Sequence, residues 1–278
     1  MQPALSVVVS TYNQPAWLAL CLAGLACQTH LDFEVLIADD GSGPDTQRVV
    51  KDAVGCSRFR IRHIWHEDAG FRKCRILNAA MLQAEADYLV FMDGDCIPRE
   101  DFLAVHAAAR RPGRFLSGGY VKLPRSTSDC ITLEAVTRGQ CFDRRWLAAH
   151  DFPAAYRRIK LTRSRAVATL ADACSPARAS WNGHNASAWK RDLYRVNGFD
   201  ERMAYGGEDR ELGERLERAG VMGRRIRHRA PVLHLEHARG YVNAADRAVN
   251  DRVRADGAQR RTISTEFGLR RAEGVSSD

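Results

Sequence analysis

The 278-residue chain lacks the signals that would send it out of the cell or into a membrane. Its opening, MQPALSVVVS, has no basic stretch leading into an apolar one. Nowhere does an apolar run approach the roughly 18 to 20 residues of a spanning helix. Neither classical secretion nor a transmembrane anchor is therefore expected. The eight cysteines (Cys21, Cys27, Cys56, Cys74, Cys96, Cys130, Cys141 and Cys174) form no C-x-x-C pair and no metal-ligand spacing. They read as small buried apolar residues in a reducing compartment, which makes the cytoplasm the expected location. The dinucleotide fingerprint G-x-G-x-x-G and the phosphate loop G-x-x-x-x-G-K-[ST] are missing as well. A bound phosphate would then have to be held by a metal and by basic side chains.

What the chain does have is positive charge, a net +8. Between Arg110 and Arg165 stand thirteen Lys and Arg against four acids, a larger surplus than that of the whole chain. Such a balance favours an anionic partner: a phosphorylated substrate, an acidic lipid surface or nucleic acid. Nucleic acid is the weakest of these. No zinc-finger or RNP motif is present, and aromatics are not interleaved with the basic residues as stacking would require.

Apolar runs alternate with helical spacing through the first half. Ala4 to Ser10 reads as a strand buried on both faces, and Pro15 to Thr29 as a helix with Pro15 at its first position. Asp32 to Ala38 and Arg60 to Trp65 are the next strands, with a helix over Thr46 to Val54 between them and another over Arg75 to Ala84 after them. Tyr88 to Met92 is a fourth strand, ending in Asp93-Gly94-Asp95. Open α/β sheets bind ligands at the carboxyl ends of their strands, so acids placed there face a ligand, most simply through a divalent metal bridging phosphate oxygens. Asp39 and Asp40 close the second strand in the same manner, and Arg72, Lys73 and Arg75 supply a basic loop. A helix is expected from Pro98 to Arg110, then a strand over Phe115 to Leu123 that Gly118 and Gly119 open to the close approach of a ligand or another backbone.

The second half is less regular. The basic stretch to Arg165 reads as helical in part. Trp181 to Asp209 is rich in Gly and Asn and carries Trp181, Trp189, Tyr194, Phe199 and Tyr205, which suits stacking on a sugar or base, while the aromatics at helical spacing over Trp189 to Val196 also suit a plain core. Glu208 to Ala219 is a helix whose first turn holds Glu208 and Asp209, where negative charge is favoured. Val232 to Leu235 reads as a strand whose His234, with His237 three residues on, is a candidate metal ligand. Residues 241–278 read as a peripheral basic helix and a frayed tail.

Taken in order, SVVVSTYNQP, ADDGSG, FMDGDC and YGGEDRE resemble the family-2 glycosyltransferases of the GT-A fold. The block NGHNASAWKRDLYRVNGFDERMAYGGED also resembles the catalytic segment of β-1,4-galactosyltransferases and of chondroitin-polymerase enzymes. The resemblance implies an α/β chain with a single Rossmann-like nucleotide-binding sheet, helices on both its faces and an acceptor-binding second half. Residues 1–240 would be the transferase domain, with 1–123 binding the nucleotide sugar and 124–240 the acceptor. It implies an inverting, metal-dependent transfer from a nucleotide donor, a UDP-hexose or UDP-N-acetylhexosamine, to a glycan or lipid-linked glycan. The setting implied is bacterial surface polysaccharide or lipopolysaccharide synthesis; the basic surplus, helped by the Arg224 to Arg229 cluster, adds an expected contact with an anionic membrane or a phosphorylated, lipid-linked acceptor at the cytoplasmic face.

Residue by residue, the resemblance places Ser10, Thr11 and Asn13 along the nucleoside and gives Asp40 the uracil N3–H. Asp95 becomes the direct ligand of Mn2+ or Mg2+, Asp93 lies nearer the ribose or a metal-bound water, and His234 or His237 completes the metal site. Asp209 is the general base, and Glu208 positions the acceptor hydroxyl. As acids at a helix N-terminus, both are expected to have low pKa values. The family's Arg-Asn pair is broken here, since Leu77 precedes Asn78; Arg72, Lys73 or Arg75 would then serve the diphosphate. Haloacid-dehalogenase-like phosphatases also place Asp-x-Asp after a buried strand, but that reading leaves ADDGSG and YGGEDRE without a role.

Overall fold

The first strand of the computed structural model, β1 (Leu5–Thr11), is buried at every residue, as its unbroken apolar run requires of a central strand. The structure describes residues 2–152, 158–237 and 244–270. Helix α1 (Pro15–Ala26) follows with its proline in the first turn, then β2 (Phe33–Asp39), α2 (Pro44–Cys56), β3 (Arg60–Trp65), α3 (Lys73–Gln83) and β4 (Tyr88–Asp93). These four strands are parallel, with β2 and β4 on either side of β1 and β3 beyond β2. The strand order therefore turns around between β1 and β4. Sheets of this kind open their ligand crevice at that point.

After β4 the chain departs from the expected helix at Pro98. Cys96–Pro98 instead form a short strand, β5, and helix α4 (Phe102–Ala109) starts later. All three β5 residues are buried, and a proline is tolerated there because β5 lies at the edge of its sheet. The expected strand over 115–123 breaks at Gly118 into β6 (Arg114–Ser117) and β7 (Gly119–Lys122), which enter different sheets. A Cβ on Gly118 would lie 1.9 Å from Asn185 Oδ1, and one on Gly119 would lie 2.7 Å from the Arg227 carbonyl oxygen. The two glycines thus allow the close approach their positions suggested.

The basic stretch folds into short helices α5 (Arg125–Asp129), α6 (Leu133–Thr137) and α7 (Arg144–Ala149), followed by α8 (Arg165–Cys174). Next come β8 (Ala186–Trp189), α9 (Lys190–Arg195), α10 (Glu208–Arg218), β9 (Met222–Arg225), β10 (Pro231–His234) and α11 (Ala244–Gln259). The central sheet runs β3-β2-β1-β4-β8-β6-β9, so β8, β6 and β9 extend it beyond β4. A second sheet, β5-β10-β7, stands beside it. Two apolar clusters cover the faces of the central sheet, and a third, around Ile97, Val121 and Leu233, fills the small sheet. Trp181 and Phe199 belong to the second cluster, at 1 % and 0 % exposure, so neither is free to stack on a ligand.

A buried polar chain fixes the join between the sheets. Tyr88 Oη lies 2.9 Å from Ser187 Oγ, which is 2.7 Å from His106 Nδ1. His106 Nε2 in turn is 3.1 Å from Asn185 Oδ1, an oxygen that only accepts, so Nε2 carries the proton. Burial drives the His106 pKa down to about 3 and keeps the ring neutral. Asn185 Nδ2 donates to the Gly119 and Ala230 carbonyls at 2.8 and 2.7 Å. These bonds fix the path of the loop before β8.

Residues 261–270 are docked where a frayed tail was expected. Asn197 Nδ2 donates to the Thr265 and Arg270 carbonyls, and Thr265 Oγ1 donates to Asp200 at 2.7 Å. Residues 271–278 lie outside the described residues. Among the described residues no helix is long and apolar enough to cross a membrane.

Candidate active site

The register of β1 against β4 sets Ser10 beside Asp93, and Ser10 Oγ donates to Asp93 Oδ1 at 2.6 Å. Gly94 N–H donates to the Ser10 carbonyl at 2.7 Å, so the acidic turn folds back over the end of β1. There is little room for anything else: a Cβ on Gly94 would lie 3.1 Å from that carbonyl. Next to this turn opens a cavity of about 710 Å³. Its lining includes Ser10, Thr11, Asn13, Asp40, Lys73, Asp93, Asp95, Glu208, Asp209, His234 and His237 from the sequence-based candidates.

Pairing of β10 with β5 explains how the histidines arrive. His234 is opposite Cys96, and Leu235 N–H donates to the Asp95 carbonyl at 3.0 Å. His237 Nε2 then lies 2.7 Å and His234 Nε2 3.6 Å from Asp95 Oδ2. Ligand atoms of the three residues all fall within 4.8 Å of one another. His234 Nδ1 is 2.9 Å from the Leu235 carbonyl and must donate to it, which leaves the Nε2 lone pair facing Asp95. That tautomer is the one a metal-binding imidazole adopts, and one carboxylate with two imidazoles suits a divalent transition metal. The residues fit a cation here, and the two histidines left as alternatives by the sequence both reach Asp95.

Asp93 is occupied otherwise. Lys73 Nζ donates to its Oδ1 at 2.7 Å. Burial works against the charge on Asp93, but the Lys73 ammonium and the bonds from Lys73 and Ser10 outweigh it and hold the carboxyl well below the usual range. Lys73 itself is held charged against burial by Asp93, Asp209 and Glu208.

At another part of the cavity lining, left-handed Gly206 and Gly207 turn the chain into α10. Glu208 Oε2 accepts from Gly206 N–H at 2.7 Å. Asp209 Oδ1 is buried and has no hydrogen-bond partner among the described residues. The low pKa expected of Asp209 does not hold: burial first, then the neighbouring Glu208 charge, push it up to about 7, with Lys73 opposing. Desolvation and a like charge outweigh the helix end. Gly183 packs directly on this carboxylate, since a Cβ there would lie 2.7 Å from Oδ1.

At the opposite end, Asp40 Oδ1 lies 2.7 Å from His66 Nε2, and its Oδ2 accepts from Arg72 N–H at 3.0 Å. Burial raises the Asp40 pKa, against the pull of His66 and Arg72. Asn13 adopts φ 48°, and its Oδ1 accepts from Gly43 N–H at 2.9 Å, tying the loops after β1 and β2 together. Three basic-loop and helix candidates do not line the cavity. The Arg72 guanidinium turns to the Glu67 carbonyl, and Arg75 is exposed on α3. Asn78 is buried against Phe199, donating to its carbonyl at 2.9 Å and accepting from its N–H at 2.9 Å, so it fastens α3 to the second half.

Sequence reasoning passed over several lining residues: Tyr12, Phe71, Tyr120, Lys122 and His184. His184 stands between Gly183 and Asn185 in a run read for its loop-forming residues. Its ring meets Tyr120 edge-on at 4.7 Å, and burial drives its pKa down to about 4 although the Asp93 charge opposes this. A neutral imidazole thus stands between the Asp93 and Tyr120 walls.

Residues 6–114 match Glycosyl transferase family 2, and residues 172–238 match the N-terminal domain of galactosyltransferase. Validoxylamine A glucosyltransferase of Streptomyces hygroscopicus subsp. jinggangensis is 33 % identical over 235 residues, covering 79 % of this chain and 52 % of that protein. Chondroitin synthase of Escherichia coli is 28 % identical over 264 residues, covering 90 % of this chain and 37 % of its own length. The chain thus spans about half the length of the first relative and less of the second. Among solved structures, S. aureus TarS 1-349 in complex with UDP-GlcNAc superposes with a TM-score of 0.60 at 18 % identity, covering 91 % of this chain and 65 % of that one. The mannosyltransferase PcManGT from Pyrobaculum calidifontis, in complex with GDP-Man and Mn2+, gives 0.57 at 21 %, covering 87 % and 59 %. The fold is the GT-A type that the motifs implied.

Proposed function

We propose that this chain, a family 2 glycosyltransferase in its first half and galactosyltransferase-like in its second, moves a sugar from a UDP donor to a glycan hydroxyl with inversion, aided by a divalent cation. The observation that carries the reading is one cavity whose two walls hold different chemistry. Asp95, His234 and His237 stand on one, Asp209 and Glu208 on the other. Asp40, oriented by His66 and Arg72, accepts the uracil N3–H, and Ser10, Thr11 and Asn13 flank the nucleoside. Thr11 Oγ1, buried and without a partner among the described residues, is a ready donor or acceptor there.

Asp95, His234 and His237 would hold a divalent cation, Mn2+ in preference to Mg2+ because two of the ligands are imidazoles, and when bound it would neutralise charge on the departing diphosphate. Lys73 adds a second positive charge to the same region and keeps Asp93 ionised. Asp209 accepts the acceptor hydroxyl's proton as that oxygen attacks the anomeric carbon. Its pKa near 7 suits the task, because a general base works best when its pKa lies near the working pH. Glu208 orients the same hydroxyl. A base facing the leaving group across the sugar gives one in-line displacement, so an α-linked donor yields a β-linked product.

UDP-Glc, UDP-Gal, UDP-GlcNAc, UDP-GalNAc and UDP-GlcA, each offered with manganese and read by UDP release, test the reading. Turnover of at least one donor, lost on chelation, is expected. Release of inorganic phosphate from sugar phosphates with no turnover of UDP-sugars would replace the transferase by a phosphatase.

A further inference from the structure

Helix α8 is mounted inside out. Val167, Leu170 and Cys174 recur at the three- and four-residue spacing that ordinarily marks a buried stripe, yet all three face solvent. Leu170 is 65 % exposed, Val167 45 %, and Ile159 just before the helix 47 %. The side turned inward carries Ala168 and the carboxylate of Asp172. Asp172 Oδ1 accepts from the His228 backbone N–H at 2.9 Å, and its Oδ2 from Arg229 Nε at 2.7 Å. Arg225 donates to the Asp172 and Ala177 carbonyls at 3.0 Å each. These bonds fix the roll of the helix, so the apolar stripe cannot turn inward without unmaking them.

Within residues 158–178 the charge that faces solvent is of one sign. Lys160, Arg163, Arg165 and Arg178 flank it, and Asp172, the sole acid of 158–178, is buried. The acids that approach from other elements, Glu100 and Glu217, are taken up by Arg163 and Arg178. Lys160 Nζ also donates to the Tyr120 carbonyl at 3.0 Å and lies 5.6 Å from the Tyr120 ring, which lines the cavity. The segment that leads into α8 is thus tied, through Lys160, to a residue of the cavity wall.

The geometry points to an anionic lipid surface as the occupant of this face: Ile159, Val167 and Leu170 enter the headgroup boundary, and the positive surplus beside them, Arg165 foremost, meets acidic headgroups. A short helix with an apolar stripe rimmed by basic residues lies in a membrane interface in this way, and each added Lys or Arg near an acidic leaflet strengthens attachment severalfold. The cavity then opens close to the bilayer, where a lipid-linked acceptor would present its sugar. The docking itself does not depend on the donor or acceptor assignment.

Flotation of the full chain with phosphatidylcholine vesicles, with and without phosphatidylglycerol, tests it. Association is expected only with the acidic vesicles, reversed by high salt, and weakened at least about tenfold by Leu170→Asp and by Arg165→Glu. Both positions are exposed, so circular dichroism and UDP release measured without vesicles should match the parent. No flotation, equal flotation with neutral vesicles, or flotation untouched by both substitutions overturns the proposal. Self-association abolished by Leu170→Asp, with no vesicle binding, would assign the face to a second copy of the chain. Donor turnover without vesicles is read separately, so failure here leaves the catalytic reading standing.

Discussion

Asp209 makes the sharpest quantitative prediction, because as the proposed base its ionisation would govern both rate and stability. Its pKa is raised from 3.8 to about 7 by burial and by Glu208. As the proposed base it must be ionised, so at pH 6 about a tenth of the free enzyme is competent and at pH 8 about nine tenths, and log kcat/KM should rise with unit slope below pH 7. The linked stability change has the opposite sense. A folded-state pKa above the unfolded one stabilises fully below about pH 4 and loses that contribution as pH rises through 7. With about 1.4 kcal/mol per unit, the parent protein loses roughly 3 kcal/mol from this group between pH 5 and pH 8. Asp209→Asn carries no such charge. The variant should be inactive, yet its advantage in Tm over the parent should grow from pH 5 to pH 8 in cation-free buffer. A pH-rate profile flat down to pH 5, or a Tm difference that does not change with pH, would refute the reasoning.

Other consequences are read by simpler assays. Gly183→Ala puts a methyl 2.7 Å from Asp209 Oδ1 and should lower kcat by at least tenfold, with donor KM little changed since the donor is held by other residues. Gly118→Ala drives a methyl into Asn185 and should cost on the order of 3 kcal/mol in chemical denaturation, or prevent folding. Asn250 on α11 donates to the Ala204 and Gly206 carbonyls at 2.9 and 3.0 Å, so Asn250→Ala should loosen the turn that carries Tyr205 and Glu208. Its expected mark is a raised acceptor KM with unchanged UDP binding; a uniform loss of both would mean general destabilisation.

Much of this was legible in the sequence because the first half is repetitive. Buried parallel strands need unbroken apolar runs, as in β1, and the edge strand β3, which alternates instead, spans the residues its pattern indicated, Arg60–Trp65. The acids at strand ends were visible for the same reason: the sheet fixes where a strand's last residue points. What could not be read depended on partners far along the chain. Pro98 looked like a helix start until β10 drew Cys96–Pro98 into a second sheet. Asn78, at a position the family uses in its Arg-Asn pair, turned to Phe199, 121 residues away. The pKa of Asp209 followed the helix-end rule in the sequence and burial in the fold. Trp181, read as a stacking candidate, fills a gap between Phe91 and Phe115. The stripe of α8 obeys helical periodicity and faces outward, because Asp172 finds its partners inside.

The central claim is a split site, with the cation and nucleotide held at Asp95 and the proton taken at Asp209. Calorimetric titration of UDP in the presence and absence of manganese, on the parent, Asp95→Ala and Asp209→Asn, tests it most directly. The account expects manganese-dependent binding of equal strength in the parent and Asp209→Asn, and its loss in Asp95→Ala. Manganese-dependent UDP binding that survives in Asp95→Ala, or disappears in Asp209→Asn, would contradict it.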